Sequence, residues 1–128
     1  MQLLVVEDSA GDVRIATEAG KSSGYSQIEA KSTVGAGRVY LEKCIEENQP
    51  LPDAIVLDLD LGYESGFELL RYWHGTPRLS RVPLIVWTVL GEEQREICRL
   101  FKVTAYLSKQ DGITALREAL SGLARAAS

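Results

Sequence analysis

Residues 3–8 read LLVVED, a short apolar run that ends in two carboxylates. Runs of the same kind recur downstream, and they alternate with segments in which apolar residues follow the helical period. This alternation predicts β/α units that build a parallel sheet with helices on both faces. The run at residues 54–57, AIVL, is apolar throughout, which is typical of a central strand covered on both sides.

Five β/α units account for the whole chain. Helical spacing predicts that Val39, Ile97 and Leu100 pack inward, and residues 9–12 have the pattern of a capping box that opens the first helix. The predicted strands are residues 3–6, 28–32, 54–57, 84–87 and 105–108. The predicted helices are residues 9–21, 36–47, 66–74, 92–101 and a last helix from 111 onward.

The composition is that of one globular domain. The chain has 128 residues, of which 45% are hydrophobic and 25% charged, and no linker to a second domain is visible. A formal net charge of -4 without a basic stripe disfavours nucleic acid as a direct partner. Because the first strand is too short for a signal segment or a membrane span, we expect a cytoplasmic protein without a membrane partner. Cys44 and Cys98 stand apart, as reduced packing residues do.

Polar residues follow four of the predicted strands at their carboxyl ends. Glu7 and Asp8 follow the first strand, Asp58 the third, Thr88 the fourth and Lys109 the fifth. In an open doubly wound sheet, sites form outside the carboxyl ends of the strands. The fold would therefore gather these five residues, which are distant in sequence, into one cleft.

The chemistry of this set indicates phosphoryl transfer. Three carboxylates brought together repel one another, and a hard divalent cation with oxygen ligands relieves that repulsion; Mg2+ fits best. Asp58 is then the candidate nucleophile, because a carboxylate can attack phosphorus and form an acyl phosphate. Lys109 offers a positive charge to one phosphoryl oxygen, and the Thr88 hydroxyl can bind another.

Four segments resemble the motifs of CheY-like receiver domains of bacterial two-component response regulators. They are LVVEDS at residues 4–9, IVLDLDL at 55–61 with Gly66 eight residues beyond Asp58, IVWT at 85–88 and AYLSK at 105–109. The resemblance covers essentially the full length. It implies an α/β, doubly wound (βα)5 flavodoxin-like fold with a five-stranded parallel sheet in the order 2-1-3-4-5. It also implies a single receiver domain over residues 1–128, without an output domain.

The resemblance also assigns roles to individual residues. Asp58 would accept the phosphoryl group, and Asp8 and Asp58 would bind Mg2+ together with a backbone oxygen of Asp60. Glu7 would act partly through metal-bound water. Thr88 and Tyr106 would form the switch, in which Tyr106 lies on the opposite face of its strand from Lys109.

The partners follow from the same resemblance. A histidine kinase or a phosphotransfer protein would donate the phosphoryl group, and a downstream protein would receive the signal. The fourth helix, fifth strand and fifth helix form the candidate contact surface, which is also the candidate surface for a homodimer. The chain would be a signalling phosphoacceptor rather than an enzyme, catalysing only its own phosphorylation and dephosphorylation.

Four positions depart from the family pattern. Gln110 stands where the family usually has a proline in a cis peptide bond, and we expect a trans bond here because a cis bond before Gln costs about 3 kcal/mol. Val89 replaces a small residue, which predicts slowed exchange at the phosphoryl site. Gly62 stands where proline is common and loosens the loop, and Asp60 adds a carboxylate beside the site.

Two other functions remain open. The pair Asp58 and Asp60 after an apolar strand is similar to the Asp-x-Asp motif of haloacid-dehalogenase-type phosphohydrolases, although there the nucleophile strand normally precedes the acidic metal pair. The second is a receiver-like interaction module that works without phosphorylation. Gln110 and Val89 favour this reading.

Overall fold

Five parallel strands form the central sheet. The computed structural model describes residues 1–61 and 64–127. Counted along the chain, the strands lie side by side in the order second, first, third, fourth, fifth, which confirms the predicted order 2-1-3-4-5. They are β1 (Gln2–Val6), β2 (Gln27–Lys31), β3 (Ala54–Leu57), β4 (Leu84–Thr88) and β5 (Ala105–Ser108).

The register of the sheet aligns the carboxyl ends of its central strands. Val6 of β1 pairs with Leu57 of β3, so the residues that follow, Glu7 and Asp58, leave the sheet side by side. On the other side, Thr88 of β4 pairs with Ser108 of β5, directly before Lys109. β3 and β4 are buried along their whole length, whereas the edge strand β2 is polar and partly exposed.

Five helices cover the two faces of the sheet. They are α1 (Ala10–Ser22), α2 (Val34–Glu46), α3 (Gly66–Gly75), α4 (Glu92–Leu100) and α5 (Gly112–Ala127). One core contains buried residues of α2, α3 and α4, including Leu41, Trp73 and Cys98. The other lies under α1 and α5 and includes Ala16 and Leu120. Residues of β1 alternate between the two cores, as its pleat requires.

Polar side chains begin three of the helices. Ser9 caps α1 by accepting a hydrogen bond from the backbone of Asp12 at 3.3 Å, which confirms the predicted start of this helix. Thr33 caps α2 and Ser65 caps α3 in the same way. Two short features were not predicted: an antiparallel pair of strands at Asp60–Leu61 and Glu64–Ser65, and a helical turn at Pro77–Ser80.

Three residues predicted to pack inward are instead exposed. Val39 is 50% exposed, Ile97 44% and Leu100 78%, so the prediction was wrong for all three. The buried anchors are Leu41 in α2 and Cys98 in α4. Val39 and Leu100 each lie two positions from their anchor, which is about 200° around a helix and therefore on its opposite side.

The described residues contain no membrane-spanning candidate. Within residues 1–61 and 64–127, no helix combines the length and the hydropathy that crossing a bilayer requires. Cys44 and Cys98 are both free and buried, as expected of packing residues. Burial raises the pKa of the Cys98 thiol to about 11, which leaves it protonated near neutral pH.

Candidate functional site

A cleft of about 310 Å³ lies at the carboxyl edge of the sheet. Glu7 and Asp58 enter it directly from the ends of β1 and β3, and both are almost fully buried. Lys109 enters from a single 3-10 turn, Lys109–Asp111, that follows β5. The cleft is lined by Glu7, Asp8, Ser9, Asp12, Asp58, Asp60, Val89 and Lys109.

Lys109 is the centre of the charge arrangement. Its ammonium Nζ lies 2.6 Å from Glu7 Oε2, 2.9 Å from Asp58 Oδ2 and 2.8 Å from Asp12 Oδ2. The same ammonium lies 5.1 Å from the centre of the Trp87 ring, within the range of a cation–π contact. Because the Lys109 side chain is only 10% exposed, these interactions are largely shielded from water.

The three carboxylates predicted from the sequence form one cluster. Glu7, Asp8 and Asp58 each offer an oxygen, and these oxygens lie within 4.8 Å of one another. Hard oxygen donors at this spacing fit a divalent cation such as Mg2+ or Mn2+. Asp8 is exposed, so the cluster is open to solvent on one side. The residues present therefore fit a divalent metal site.

Burial and hydrogen bonding act in opposite directions on the charged groups. Burial raises the pKa of the Glu7 carboxyl to about 7, although its hydrogen bonds with Lys109 and with the backbone N–H of Ser9 work against that rise. For Lys109, burial favours a lower pKa. Its hydrogen bonds to Asp12, Glu7 and Asp58 outweigh burial and hold the pKa above its ordinary value, so the ammonium stays charged.

Asp58 is oriented by contacts on both of its carboxylate oxygens. Oδ1 accepts a hydrogen bond from the backbone N–H of Asp60 at 3.1 Å, and Oδ2 accepts one from Lys109. The backbone carbonyl of Asp58 is closely approached by Gly66, where an added Cβ would lie 2.5 Å from that oxygen. The start of α3 is therefore packed directly against the strand end that carries Asp58.

The likeness to known proteins agrees with this geometry. The response regulator Rcp1 of Synechocystis sp. (strain ATCC 27184 / PCC 6803 / Kazusa) is 31% identical over 124 residues, which cover 94% of this chain and 84% of Rcp1. The chain belongs to the response regulators, as a CheY-like receiver domain. Receiver domains are signalling phosphoacceptors. No protein-family model matches the chain.

Two solved structures support the placement among receivers. The Mn2+-bound form of Rcp1 has a TM-score of 0.77 at 30% identity and covers 95% of this chain and 90% of its own. The phosphorylated cyanobacterial phytochrome response regulator RcpA has a TM-score of 0.79 at 26% identity and covers 95% of this chain and 89% of its own. The first of these structures is a metal-bound form and the second a phosphorylated form.

The two predicted switch residues of this receiver lie behind the cleft. Thr88 is fully buried and does not line the cleft, and its hydroxyl accepts a hydrogen bond from the backbone of Leu90 at 3.3 Å. The Tyr106 side chain is buried in the core that contains residues of α2, α3 and α4. Trp87 belongs to the core under α1 and α5. The Tyr106 hydroxyl donates to the carbonyls of Leu90 at 3.1 Å and Gly91 at 2.8 Å. Both side chains therefore contact the loop between β4 and α4.

Arg95 of α4 contacts both the ring and the backbone of Tyr106. Its guanidinium lies 4.8 Å from the centre of the Tyr106 ring and donates to the Tyr106 backbone carbonyl at 3.2 Å. Glu92 holds the same guanidinium through an ion pair of 2.8 Å. This contact was not predicted, because a charged residue in the middle of a helix ordinarily faces solvent.

The structure describes three of the four positions that depart from the family pattern. The described residues contain no cis peptide bond, so Lys109–Gln110 is trans, as expected. Val89 is 54% exposed and is one of the residues that line the cleft, and slowed exchange there stays a prediction. The Asp60 side chain is exposed at the rim. Gly62 lies outside the described residues.

Asp12 is a residue of the site that was not predicted. Its place in the capping-box pattern suggested a role at the start of α1, whereas its carboxylate binds Lys109. A signal was present: Asp12 lies in the first turn of the helix that follows Glu7 and Asp8, so it begins close to the same end of β1.

Proposed function

We propose that this receiver accepts a phosphoryl group on Asp58 from a histidine kinase or a phosphotransfer protein and thereby changes a protein-interaction surface. The observation that carries the proposal is the state of the Asp58 carboxylate. It is buried and oriented by Lys109 and the Asp60 backbone, and it belongs to a three-carboxylate cluster that fits a divalent cation. A carboxylate with a purely structural role would need only its contacts with Lys109 and with the Asp60 backbone, and not the two neighbouring carboxylates.

The transfer step is a substitution at phosphorus. One oxygen of the Asp58 carboxylate forms a bond to phosphorus while the bond from phosphorus to the donor's imidazole nitrogen breaks, and the imidazole keeps the electron pair and takes up a proton. In the loss of the group, a water oxygen attacks phosphorus, the bond to Asp58 breaks, and inorganic phosphate leaves. Transfer therefore consumes the free carboxylate, and hydrolysis regenerates it for the next phosphoryl group.

The charged residues of the cleft divide the work of this reaction. Asp8, Asp58 and a backbone oxygen of Asp60 would hold Mg2+, with Glu7 acting partly through a metal-bound water. When bound, Mg2+ supplies positive charge that offsets the charge of the phosphoryl oxygens. Lys109 places its ammonium within hydrogen-bonding distance of Asp58, where it can bind a phosphoryl oxygen on that carboxylate.

The output step would run through the loop between β4 and α4. The Thr88 hydroxyl, which accepts a hydrogen bond from the Leu90 N–H, would donate its own hydrogen to a phosphoryl oxygen, and the shift of Thr88 toward that oxygen would pull on the Leu90 backbone. Movement of this loop would alter the two hydrogen bonds that Tyr106 donates to it. The surface of α4, β5 and α5 would then change, as a bistable element does when a modification biases it.

This surface is our candidate for contact with a downstream protein or with a second copy of the chain. Ile97 and Leu100 on α4 support that role, because both are aliphatic and largely exposed. A cytoplasmic location belongs to the same proposal, since the donor is a signalling kinase or phosphotransfer protein.

The proposal is tested with a small phosphodonor. The wild-type protein is incubated with acetyl phosphate and Mg2+, and its intact mass is followed over time. We expect the mass of one phosphoryl group to be gained by wild type and by Asp60→Asn, but not by Asp58→Asn. Asp60→Asn is the matched control, because it makes the same chemical change two residues away and keeps the backbone oxygen.

Other outcomes would favour other functions. Wild-type protein that gains no group from acetyl phosphate or from any phosphohistidine donor would contradict the proposal and favour a receiver-like interaction module that works without phosphorylation. Rapid turnover of external phosphate esters would instead support a phosphohydrolase of the haloacid-dehalogenase type.

A further inference from the structure

Asp12 contacts the site from an element that carries none of its predicted residues. It lies in the first turn of α1, and its Oδ2 is 2.8 Å from Lys109 Nζ. Its side chain is 30% exposed, so the contact lies near the edge of the cleft. Asp12 is not a member of the three-carboxylate cluster formed by Glu7, Asp8 and Asp58. Its carboxylate therefore binds the ammonium without belonging to the candidate metal site.

The other two partners of Lys109 have competing roles. Glu7 and Asp58 each bind Nζ through one oxygen, and both belong to the candidate metal cluster. A metal held by these two carboxylates would compete with the ammonium for their negative charge. Asp58 would also lose its carboxylate charge when it forms an acyl phosphate. Of the three carboxylates that contact Lys109, only that of Asp12 would remain ionised and would not bind the metal.

The position of Asp12 is fixed by its surroundings. The Ser9 side chain accepts its backbone N–H, which sets the first turn of α1, and Ala16 and Ala19 pack this helix against the sheet. On the other side, the Lys109 ammonium lies 5.1 Å from the centre of the Trp87 ring. A flexible lysine side chain is thus held between a carboxylate on a packed helix and an aromatic ring on β4.

We propose that Asp12 is a positioning residue that keeps Lys109 directed at the phosphoryl group once Glu7 and Asp58 have engaged the metal and the phosphorus. The inference rests on the proposed function. During transfer, a carboxylate outside the candidate metal cluster must balance the charge of the Lys109 ammonium and orient it. Glu7, Asp8 and Asp58 belong to that cluster and therefore do not meet this requirement. Outer contacts of this kind support catalytic groups in metal sites.

A spectroscopic experiment tests the contact without any phosphoryl group. The indole N–H resonances of Trp87 and Trp73 are recorded for wild type, Asp12→Asn, Asp12→Glu and Asp111→Asn, with and without Mg2+. Asp111 is exposed and lies two residues after Lys109, so Asp111→Asn makes the same change of charge nearby. Trp87→Phe assigns the Trp87 resonance. Trp73, whose indole donates to the Val82 carbonyl, serves as the internal reference.

We expect Asp12→Asn to shift the Trp87 resonance, because Lys109 moves relative to the ring, and to leave Trp73 unchanged. Addition of Mg2+ should enlarge the shift, since Asp12 is then the main remaining partner of the ammonium. Asp12→Glu should restore most of the wild-type position, and Asp111→Asn should resemble wild type. Equal shifts in Asp12→Asn and Asp111→Asn would overturn the inference, because they would reflect charge alone.

The kinetic arm measures the rate at which Asp58 is phosphorylated by acetyl phosphate in Mg2+. Asp12→Asn should react about tenfold more slowly than wild type, with substantial recovery in Asp12→Glu and no change in Asp111→Asn. An unchanged rate in Asp12→Asn, with wild type fully active, would overturn this inference and leave the proposed function standing. A wild-type protein that is never modified would overturn the proposed function, and the positioning role with it.

Discussion

Lys109 joins three carboxylates that come from three different parts of the chain. Its ammonium reaches Glu7 after β1, Asp12 in α1 and Asp58 after β3. Glu7 and Asp58 are nearly inaccessible to water, so their charges depend on this neighbour. Removing one partner of a buried ion pair leaves an uncompensated charge, and this cost exceeds the net gain from the pair.

Lys109→Met should therefore destabilise the metal-free protein. Methionine keeps an unbranched side chain beside Trp87 but removes the ammonium. We expect the free energy of unfolding to fall by about 3 kcal/mol in buffer with a chelator, as measured by urea denaturation. Lys43→Met, a change at an exposed lysine of α2, is the control. Equal losses in the two variants would mean that Lys109 does not stabilise the cleft.

The site residues could be predicted to the extent that they end strands. Glu7, Asp8, Asp58 and Lys109 lie at or just beyond the ends of strands, and the parallel sheet brings such positions together. Asp12 could not be assigned in this way, because an acidic residue in a first helical turn also stabilises the helix dipole. The contact of the Thr88 hydroxyl with the Leu90 backbone depends on a loop conformation that no periodic pattern specifies.

At the scale of the elements, the junction between β3 and α3 controls the position of Asp58. Gly66 begins α3 and lies against the backbone of Asp58 and Leu59. A Cβ at this position would be 2.5 Å from the Asp58 carbonyl oxygen and 2.7 Å from Leu59 Cα. Real Cβ atoms do not approach backbone atoms so closely, so a larger residue would displace either the helix or the strand end.

Gly66→Ala should destabilise the protein and slow phosphorylation of Asp58. We expect a loss of about 2 kcal/mol in urea denaturation, the cost typical of overpacking. Gly75→Ala is the matched control: this glycine ends the same helix, and apart from its chain neighbours and the backbone of its own helix no described atom lies within 4 Å of its added Cβ. Wild-type stability in Gly66→Ala would contradict the close packing at this junction.

Helix faces were harder to predict than helix positions. All five long helices were expected near their observed places, because helical spacing and caps mark them in the sequence. The inward face of α4 was predicted wrongly, because its buried residue is Cys98 rather than Ile97 or Leu100. Arg95 also faces β5, where it contacts Tyr106. Which face a short helix buries depends on contacts with distant strands, and such contacts leave no local period.

At the scale of the whole molecule, the fold concentrates negative charge at one edge of the sheet. The chain has a formal net charge of -4, and five carboxylates line one cleft, in which Lys109 is the single cation among the lining residues that the structure describes. The carboxylates are those of Glu7, Asp8, Asp12, Asp58 and Asp60. A divalent cation that binds the folded state there stabilises it by mass action, because the unfolded chain does not hold these carboxylates together.

Mg2+ should therefore raise the stability of the folded protein. At a concentration ten times the dissociation constant, we expect about 1.4 kcal/mol of added unfolding free energy, measured by denaturation with and without the ion. Asp8→Asn should remove most of this gain, since it takes one oxygen donor from the cluster. Asp111→Asn, which lies outside the cleft, should keep it. The same gain in Asp8→Asn would place the ion elsewhere.

The topology could be predicted because each level of the sequence supports the same fold. Apolar strands, intervening helices and polar strand ends are mutually consistent, and the order of the motifs resembles that of receivers. The short pair of strands after Asp58 and the helical turn at Pro77–Ser80 contain too few residues to show a period.

The most direct test of the central claim is to locate the phosphoryl group. Protein treated with acetyl phosphate and Mg2+ is reduced with borohydride, which converts an aspartyl phosphate to the corresponding alcohol, and its peptides are sequenced by mass spectrometry. We predict the reduced residue at Asp58, and none in Asp58→Asn or in protein treated without Mg2+. Reduction at another carboxylate, with Asp58 unmodified, would contradict the account.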